Sequence, residues 1–301
     1  MTTVPETRIL EGVAAEPSRV LTPDPFTIFE KRARRFEQLA DGHVLGDWLR
    51  FLACLSAAQQ QALRHFPTVP LPDATALTLA RDHAMPPLPG SSWPRDVAWR
   101  QALREIAAAL ISGAPPAARA VLAELGTLSD ESLEAMADRI MRMDLAGEPA
   151  AALPFVAAAL QVYWTHMAAG LGAEKLGPLD VPGICPCCGT LPVASAVHPG
   201  GLRYLHCALC GVEWNLVRVK CAACNGTAGI SYRQIEGGNG IVRAETCDPC
   251  KSYLKLVRRD LESDADPVAD DLASLALDML VDEAGYRRAG PNLLLSLGQE
   301  H

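Results

Sequence analysis

Eight of the ten cysteines in this chain fall into four C-x-x-C pairs: Cys185/Cys188, Cys207/Cys210, Cys221/Cys224 and Cys247/Cys250. Two thiolates separated by two residues can hold one ion, because the intervening turn points both sulfurs to one side and aims backbone N–H groups at them. Each pair is half of a tetrahedral site. Eighteen residues separate Cys188 from Cys207, and twenty-two separate Cys224 from Cys247. These gaps are close to those of C-x₂-C…C-x₂-C metal ribbons. The spacing favours closing each site between neighbouring knuckles, first with second and third with fourth; a cross-braced pairing of first with third is the alternative.

A lone C-x-x-C would be open to a dithiol redox reading. Four of them within 66 residues, with glycine after Cys188 and Cys210, point to metal. A dithiol oxidoreductase would place its motif at a helix start within a βαβ pattern, and none is visible. Cys187 lies inside the first knuckle and could replace a neighbour as ligand, but the four-residue turn favours Cys185 and Cys188. Cys54, in an apolar helical stretch, reads as a small core residue. Four cysteines fill a tetrahedron and leave none of the open positions a catalytic metal keeps. No Gly-rich phosphate loop, nucleophile elbow or H-E-x-x-H accompanies them, so the chain reads as a non-enzyme. His198, His206 and Glu213 could carry further chemistry, though singly they read as ordinary turn or strand positions.

The elements that must hold these knuckles change character along the chain. Residues 24 to about 177 read as five or six helices: Phe29, Ala33 and Phe36 recur with helical period after Asp24-Pro25, as do Trp99, Leu103, Ile106 and Leu110, and Ser129 is placed as an N-cap. A proline-rich connection from Pro67 to Pro94 reads as a surface crossing with at most a short helix near 73–82. From Pro182 to about Tyr253 the texture is of short strands between turns, including residues 202–206, 212–219 and 240–245. Asp266-Pro267 then starts a last amphipathic helix with Leu272, Leu275 and Met279 on one face. The fold class is multidomain α+β: a flexible segment 1–23, an all-α domain 24–180, two four-cysteine modules of zinc-ribbon-like type at 181–216 and 217–262, and a C-terminal helix and tail 263–301.

Composition limits the functions such a chain can have. A formal charge of −8 and a pI near 5.4 argue against a nucleic-acid binder relying on a basic surface. Between Val181 and Asp260, nine Lys/Arg face five Asp/Glu, and eight thiolates carrying two divalent ions would offset that excess. The uncharged stretch Pro149–Ala173 is long enough for a membrane span. It contains Gln161, Thr165 and His166 and is dominated by alanine, so a buried core helix fits better. The N-terminus lacks the charged and apolar regions of a secretory signal, and ten cysteines then suit a reducing cytoplasm better than a disulfide framework.

The first knuckle, Cys185-Pro186-Cys187-Cys188-Gly189, has the C-P-x-C-G form of rubredoxins, so iron competes with zinc for tetrahedral sulfur. The words GLRYLHCALCGVEWNLVRVKCAAC (201–224), AETCDPCKSYLK (244–255) and VADDLASLALD (268–278) closely resemble the FdhE family of formate dehydrogenase accessory proteins. The resemblance covers about residues 180 to 290. It implies a cytoplasmic assembly factor that contacts the catalytic subunit of respiratory formate dehydrogenase before export. It also implies two rubredoxin-like iron sites on the eight paired cysteines, with zinc in a purely structural, interaction-module role as the alternative. The family leaves the position of Cys187 free, so a cysteine there is a departure. Asp270, Asp271 and Asp278 are read as surface carboxylates, the first two in the first helical turn where they stabilise the helix N-terminus, and all three, under the resemblance, as candidates for partner docking.

Overall fold

A computed structural model describes residues 1–4, 18–144 and 149–295. Seven α-helices occupy the first half: α1 (Ile28–Ala40), α2 (Gly46–Arg64), α3 (Ala74–Asp82), α4 (Ala98–Leu110), α5 (Pro116–Leu125), α6 (Asp130–Arg142) and α7 (Leu153–Leu171). The apolar periods explain the packing, since Phe29 and Phe36 of α1 and Trp99, Leu103 and Ile106 of α4 are all buried in one core. Ser129 caps α6 by accepting from Ser132 N. Asp24 instead organises the turn before α1, accepting from Phe26 N and the Thr27 hydroxyl, and the helix proper begins later.

The uncharged stretch is α7, the central helix, packed by α2, α4 and α6. No helix of the described residues is long and apolar enough to cross a membrane. The polar residues of α7 have defined partners. Gln161 Nε2 donates to Ala208 O (2.8 Å) and Gln161 Oε1 accepts from Gln59. Thr165 Oγ1 donates to Cys210 O. Residues that would be costly in lipid therefore tie the helical half to the second cysteine knuckle.

Strands β1 (Thr2–Val4), β2 (Val20–Leu21), β3 (Pro192–Val197), β4 (Arg203–Cys207), β5 (Glu213–Asn215), β6 (Ile230–Gln234), β7 (Val242–Cys247), β8 (Ser252–Arg258) and β9 (Arg287–Arg288) form a single mixed sheet. Its order is β1-β6-β7-β8-β3-β4-β5-β2, with β9 beside β8. Two antiparallel three-strand units, β3-β4-β5 and β6-β7-β8, are joined where β3 runs parallel to β8, Ser195 opposite Leu256. Of the segment 1–23, residues 5–17 lie outside the described residues; Thr2–Val4 pairs with β6 and Val20–Leu21 with β5. Residues 296–301 of the expected tail also lie outside them.

The expected last helix is two short ones, α8 (Pro267–Ala273) and α9 (Leu275–Glu283), broken at Ser274. Asp266 caps α8 by accepting from Val268 N and Ala269 N. The break changes the helical phase: Leu272 is buried, but Leu277 and Val281 take the inward positions and Met279 is exposed. At the break sits Lys255 of β8, whose fully buried ammonium reaches Asp278 Oδ2 (2.6 Å), Asp271 O (2.8 Å) and Ser274 Oγ (3.0 Å) and so satisfies groups that the interrupted helix leaves open.

Asp270 and Asp271 are interior, a correction to the expectation of surface carboxylates. Asp270 takes a bidentate pair from Arg35 of α1 at 2.9 and 2.7 Å. Asp271 accepts from Asn292 (2.8 Å) and pairs with Lys255 and Arg288. Burial alone would raise the Asp271 carboxyl, yet Lys255 and Arg288 hold it below the ordinary range. Asp278 is partly buried and engaged by Lys255, Tyr253 and Arg288. These carboxylates staple α1, α8 and α9 onto the sheet. Removing one partner of a buried charge cluster leaves the others uncompensated. Lys255→Met is expected to cost about 3 kcal/mol in urea denaturation; a loss below about 1 kcal/mol would show that the cluster is not a staple.

Candidate metal centres

The described residues contain two groups of sulfurs drawn together, each within 4.8 Å: Cys185, Cys188, Cys207 and Cys210, and Cys221, Cys224, Cys247 and Cys250. Each group joins neighbouring knuckles. In the first, Cys185–Cys210, Cys188–Cys207 and Cys188–Cys210 Sγ distances are 3.6, 3.4 and 3.6 Å. In the second, Cys221–Cys250 and Cys224–Cys247 are both 3.7 Å. A disulfide needs about 2.05 Å, and all these cysteines are free. A tetrahedron with metal–sulfur bonds of about 2.3 Å has edges of about 3.8 Å, so each group has the dimensions to hold one ion.

The chain reaches this geometry by the same local device four times. The residue after the second cysteine of each pair, Gly189, Gly211, Asn225 and Lys251, has positive φ, which turns the backbone back beneath the sulfurs. At Gly211 the requirement is double, because a Cβ would stand 2.6 Å from Ile28 Cδ1 of α1. Backbone N–H groups of Leu209 and Cys210 aim at Cys207 Sγ, both at 3.4 Å. Those of Ala223 and Cys224 aim likewise at Cys221. Burial raises the Cys221 thiol, and these two backbone donors act against it, favouring the thiolate that an ion would bind.

The two centres differ in surroundings. All four sulfurs of the first lie in buried residues. The proline-rich connection supplies the cover, with Leu88 N donating to Cys187 O (3.0 Å) and Gly90 N to Cys188 O (2.9 Å). Between Pro86, Pro87 and Pro89, only Leu88 can donate, and Gly90 follows; the segment expected to be a surface crossing thus ends as a buried strap. Burial pushes the Cys185 and Cys210 thiols well above their ordinary range. Cys187 is buried beside them, a free thiol in hydrogen-bond contact with Cys210, and it stands outside the four-sulfur group.

At the second centre, Cys224 and Cys250 are exposed. The Ser252 hydroxyl lies 2.9 Å from Cys250 Sγ. Desolvation raises the Cys250 thiol, but this hydrogen bond and the Ser252 backbone N–H outweigh it and bring it down to about 7. Ser252 was not legible beforehand. Gln161 and Thr165 were, as polar positions in an apolar helix, although their target was not. Cys54, expected in the core, lies on the exposed face of α2. His198, His206 and Glu213, scattered in sequence, meet in space: Glu213 accepts from His198 Nε2 (2.7 Å), His206 Nδ1 (2.9 Å) and Arg259 (2.8 Å).

Comparison with known proteins gives this arrangement a family. Family models described as FdhE N-terminal, FdhE central domain and FdhE C-terminal domain match residues 17–180, 184–218 and 219–295. A "Protein FdhE homolog" of Pseudomonas aeruginosa is 38% identical over 300 residues, covering 97% of both chains. The chain belongs to the FdhE family. That of Edwardsiella ictaluri is 39% identical over 284 residues, 93% of this chain and 92% of that protein. The crystal structure of the FdhE protein from Pseudomonas aeruginosa superposes with a TM-score of 0.81 at 37% identity, covering 94% of this chain and all of that one. Membership makes this a formate dehydrogenase accessory protein, and the family's three segments coincide with the helical half and the two cysteine units.

The difference in exposure has a kinetic consequence. Protein purified with two equivalents of metal is expected to lose them to a strong chelator in two phases, the faster from the exposed centre. In Cys250→Ser the fast equivalent is missing and the slow one unchanged. One phase for both ions in the parent protein would remove the asymmetry.

Proposed function

We propose that the protein is a cytoplasmic, non-catalytic assembly factor that binds the catalytic subunit of formate dehydrogenase before export and carries one iron ion, of rubredoxin type, in each four-cysteine group. The observation that carries the reading is the pair of four-sulfur groups set in the FdhE order of domains. Cys185, Cys188, Cys207 and Cys210 would ligate the first ion, and Cys221, Cys224, Cys247 and Cys250 the second. A tetrahedral thiolate iron exchanges one electron with little change of geometry, which suits redox sensing or electron delivery to an immature partner. The backbone donors to Cys207 and Cys221 are the protein's means of tuning such a site.

A second reading has zinc in both sites, with the metals purely structural and function residing in the surface. It is favoured by the first centre, whose burial under α7 and the Leu88 strap makes it a folding nucleus as much as a reactive site. As for docking, Asp278 is the most accessible of the three aspartates, and a partner would have to compete with Lys255 and Tyr253 for it.

Elemental analysis of anaerobically purified protein, with its visible spectrum after exposure to air, separates the readings. Two irons per chain and a coloured ferric form are expected; two zincs in a colourless protein would leave only the structural reading. Cys207→Ser is expected to retain one ion and to weaken co-purification with the catalytic subunit, the helical half staying folded by circular dichroism. Retention of both ions would refute the ligand assignment.

A further inference from the structure

Outside the metal centres, a cleft of about 440 Å³ opens among the described residues where α1 meets the first cysteine unit. Lys31, Arg34 and Arg35 come to it from α1, His198 from the turn after β3, and Arg259 from the segment after β8. Asp264 and Asp266 are the carboxylates that face them. Arg35 and Arg259 are paired with Asp270 and Glu213, and Asp266 with Arg32; Lys31 and Arg34 against Asp264 leave the lining positive in a protein whose formal charge is −8. Such a local reversal of sign in a concave site focuses potential toward anions.

The lining cations are not equivalent. Arg35 is committed to Asp270, and Arg259 to Glu213 and Ala265 O. Lys31 and Arg34 are exposed and have no ion-pair partner among the described residues; three residues apart on α1, they stand on one helix face. The wall behind them is fixed. Burial would raise the Glu213 carboxyl, but Arg259, His198 and His206 hold it well below its ordinary range. The wall is thus a charged, hydrogen-bonded network that holds His198 and Arg259 in place. On the far side of Glu213, His206 is buried with Nε2 unpartnered among the described residues. It lies close enough to Asp266 to help Arg32 bring that carboxyl down against its burial.

We propose that this cleft binds a small multiply charged oxyanion of phosphate type, with Lys31 and Arg34 as its direct contacts and His198 and Arg259 as the preset wall. Volume and layout favour a compact ligand. The cleft has the size of small-molecule pockets, and its cations come from α1 on one side and the segment after β8 on the other, around one concavity with His198. An acidic polypeptide would be matched by cations strung along a groove. The site needs no metal, so it stands or falls separately from the function proposed above.

Inorganic pyrophosphate is the test ligand, titrated into the full metal-loaded chain at low ionic strength, where screening is weakest. Calorimetry is expected to give one saturable site, and Lys31→Ala/Arg34→Ala to weaken it at least tenfold. Both side chains are exposed, so metal content and circular dichroism should match the parent. Arg81→Ala, an exposed cation on α3, is expected to leave affinity unchanged. Pyrophosphate should also raise the melting temperature of the parent but not of the double variant. Absence of saturable binding, equal affinity in the double variant, or equal weakening by Arg81→Ala would overturn the proposal. So would binding of an oligoglutamate peptide where pyrophosphate does not bind, which would assign the cleft to an acidic polypeptide.

Discussion

Four sulfurs gathered within 4.8 Å of one another cannot all carry charge in a protein interior unless a cation sits among them. That electrostatic constraint organises this molecule. The positive-φ turns after each pair, the N–H groups aimed at Cys207 and Cys221, and the return of each unit through an antiparallel excursion all bring thiols into mutual repulsion. Only a bound ion turns that repulsion into attraction. An ion filling either group would therefore couple its own binding to the folding of that unit, whichever metal it was.

The two centres meet the constraint differently because their neighbours differ. The first is embedded in the interface with the helical half, where α7 bonds the carbonyls of Ala208 and Cys210 and the Leu88 strap bonds those of Cys187 and Cys188. Loss of its ion would loosen the docking of the helices as well as the knuckles. The second stands at the surface, with two exposed cysteines and Ser252 as its nearest polar neighbour. At Gly183 a Cβ would stand 2.0 Å from Ala222 O, so the entry to the first unit is pressed against the third knuckle. The units touch through backbone as well as through the β3/β8 pairing.

Much of the site was legible in the sequence because C-x-x-C is a local signal: both sulfurs of a half-site come from one turn. The helical periods of α1 and α4 were legible for the same reason. What escaped was non-local. The strand β3, residues Pro192–Val197, is buried along its whole length and carries no alternation to reveal it. Leu88 and Gly90 serve the first centre through backbone groups, which no side-chain pattern reports. The break at Ser274 is met by a lysine on β8 that the last helix cannot announce. The cluster of Glu213 with His198 and His206 depends on the register of β4 with β5, which sets His206 opposite Glu213.

Charge shows how far a local count depends on the window over which it is taken. Between Val181 and Asp260, Arg203 pairs with Glu245 and the half-buried Arg259 with Glu213 inside the window, whereas the buried Lys255 is spent on Asp271 and Asp278 outside it. The aspartates that looked like a surface signature are the other half of the same neutralisation. Lys255 lies on β8, the strand that also reaches Ser252 beside the second centre and pairs with β3 of the first unit. The exposed centre and the ammonium of the α8–α9 staple therefore share one strand. Through Arg32–Asp266 and Arg35–Asp270 that staple continues to α1, so one run of ion pairs joins the sheet beside the surface centre to the helical half without sharing a ligand.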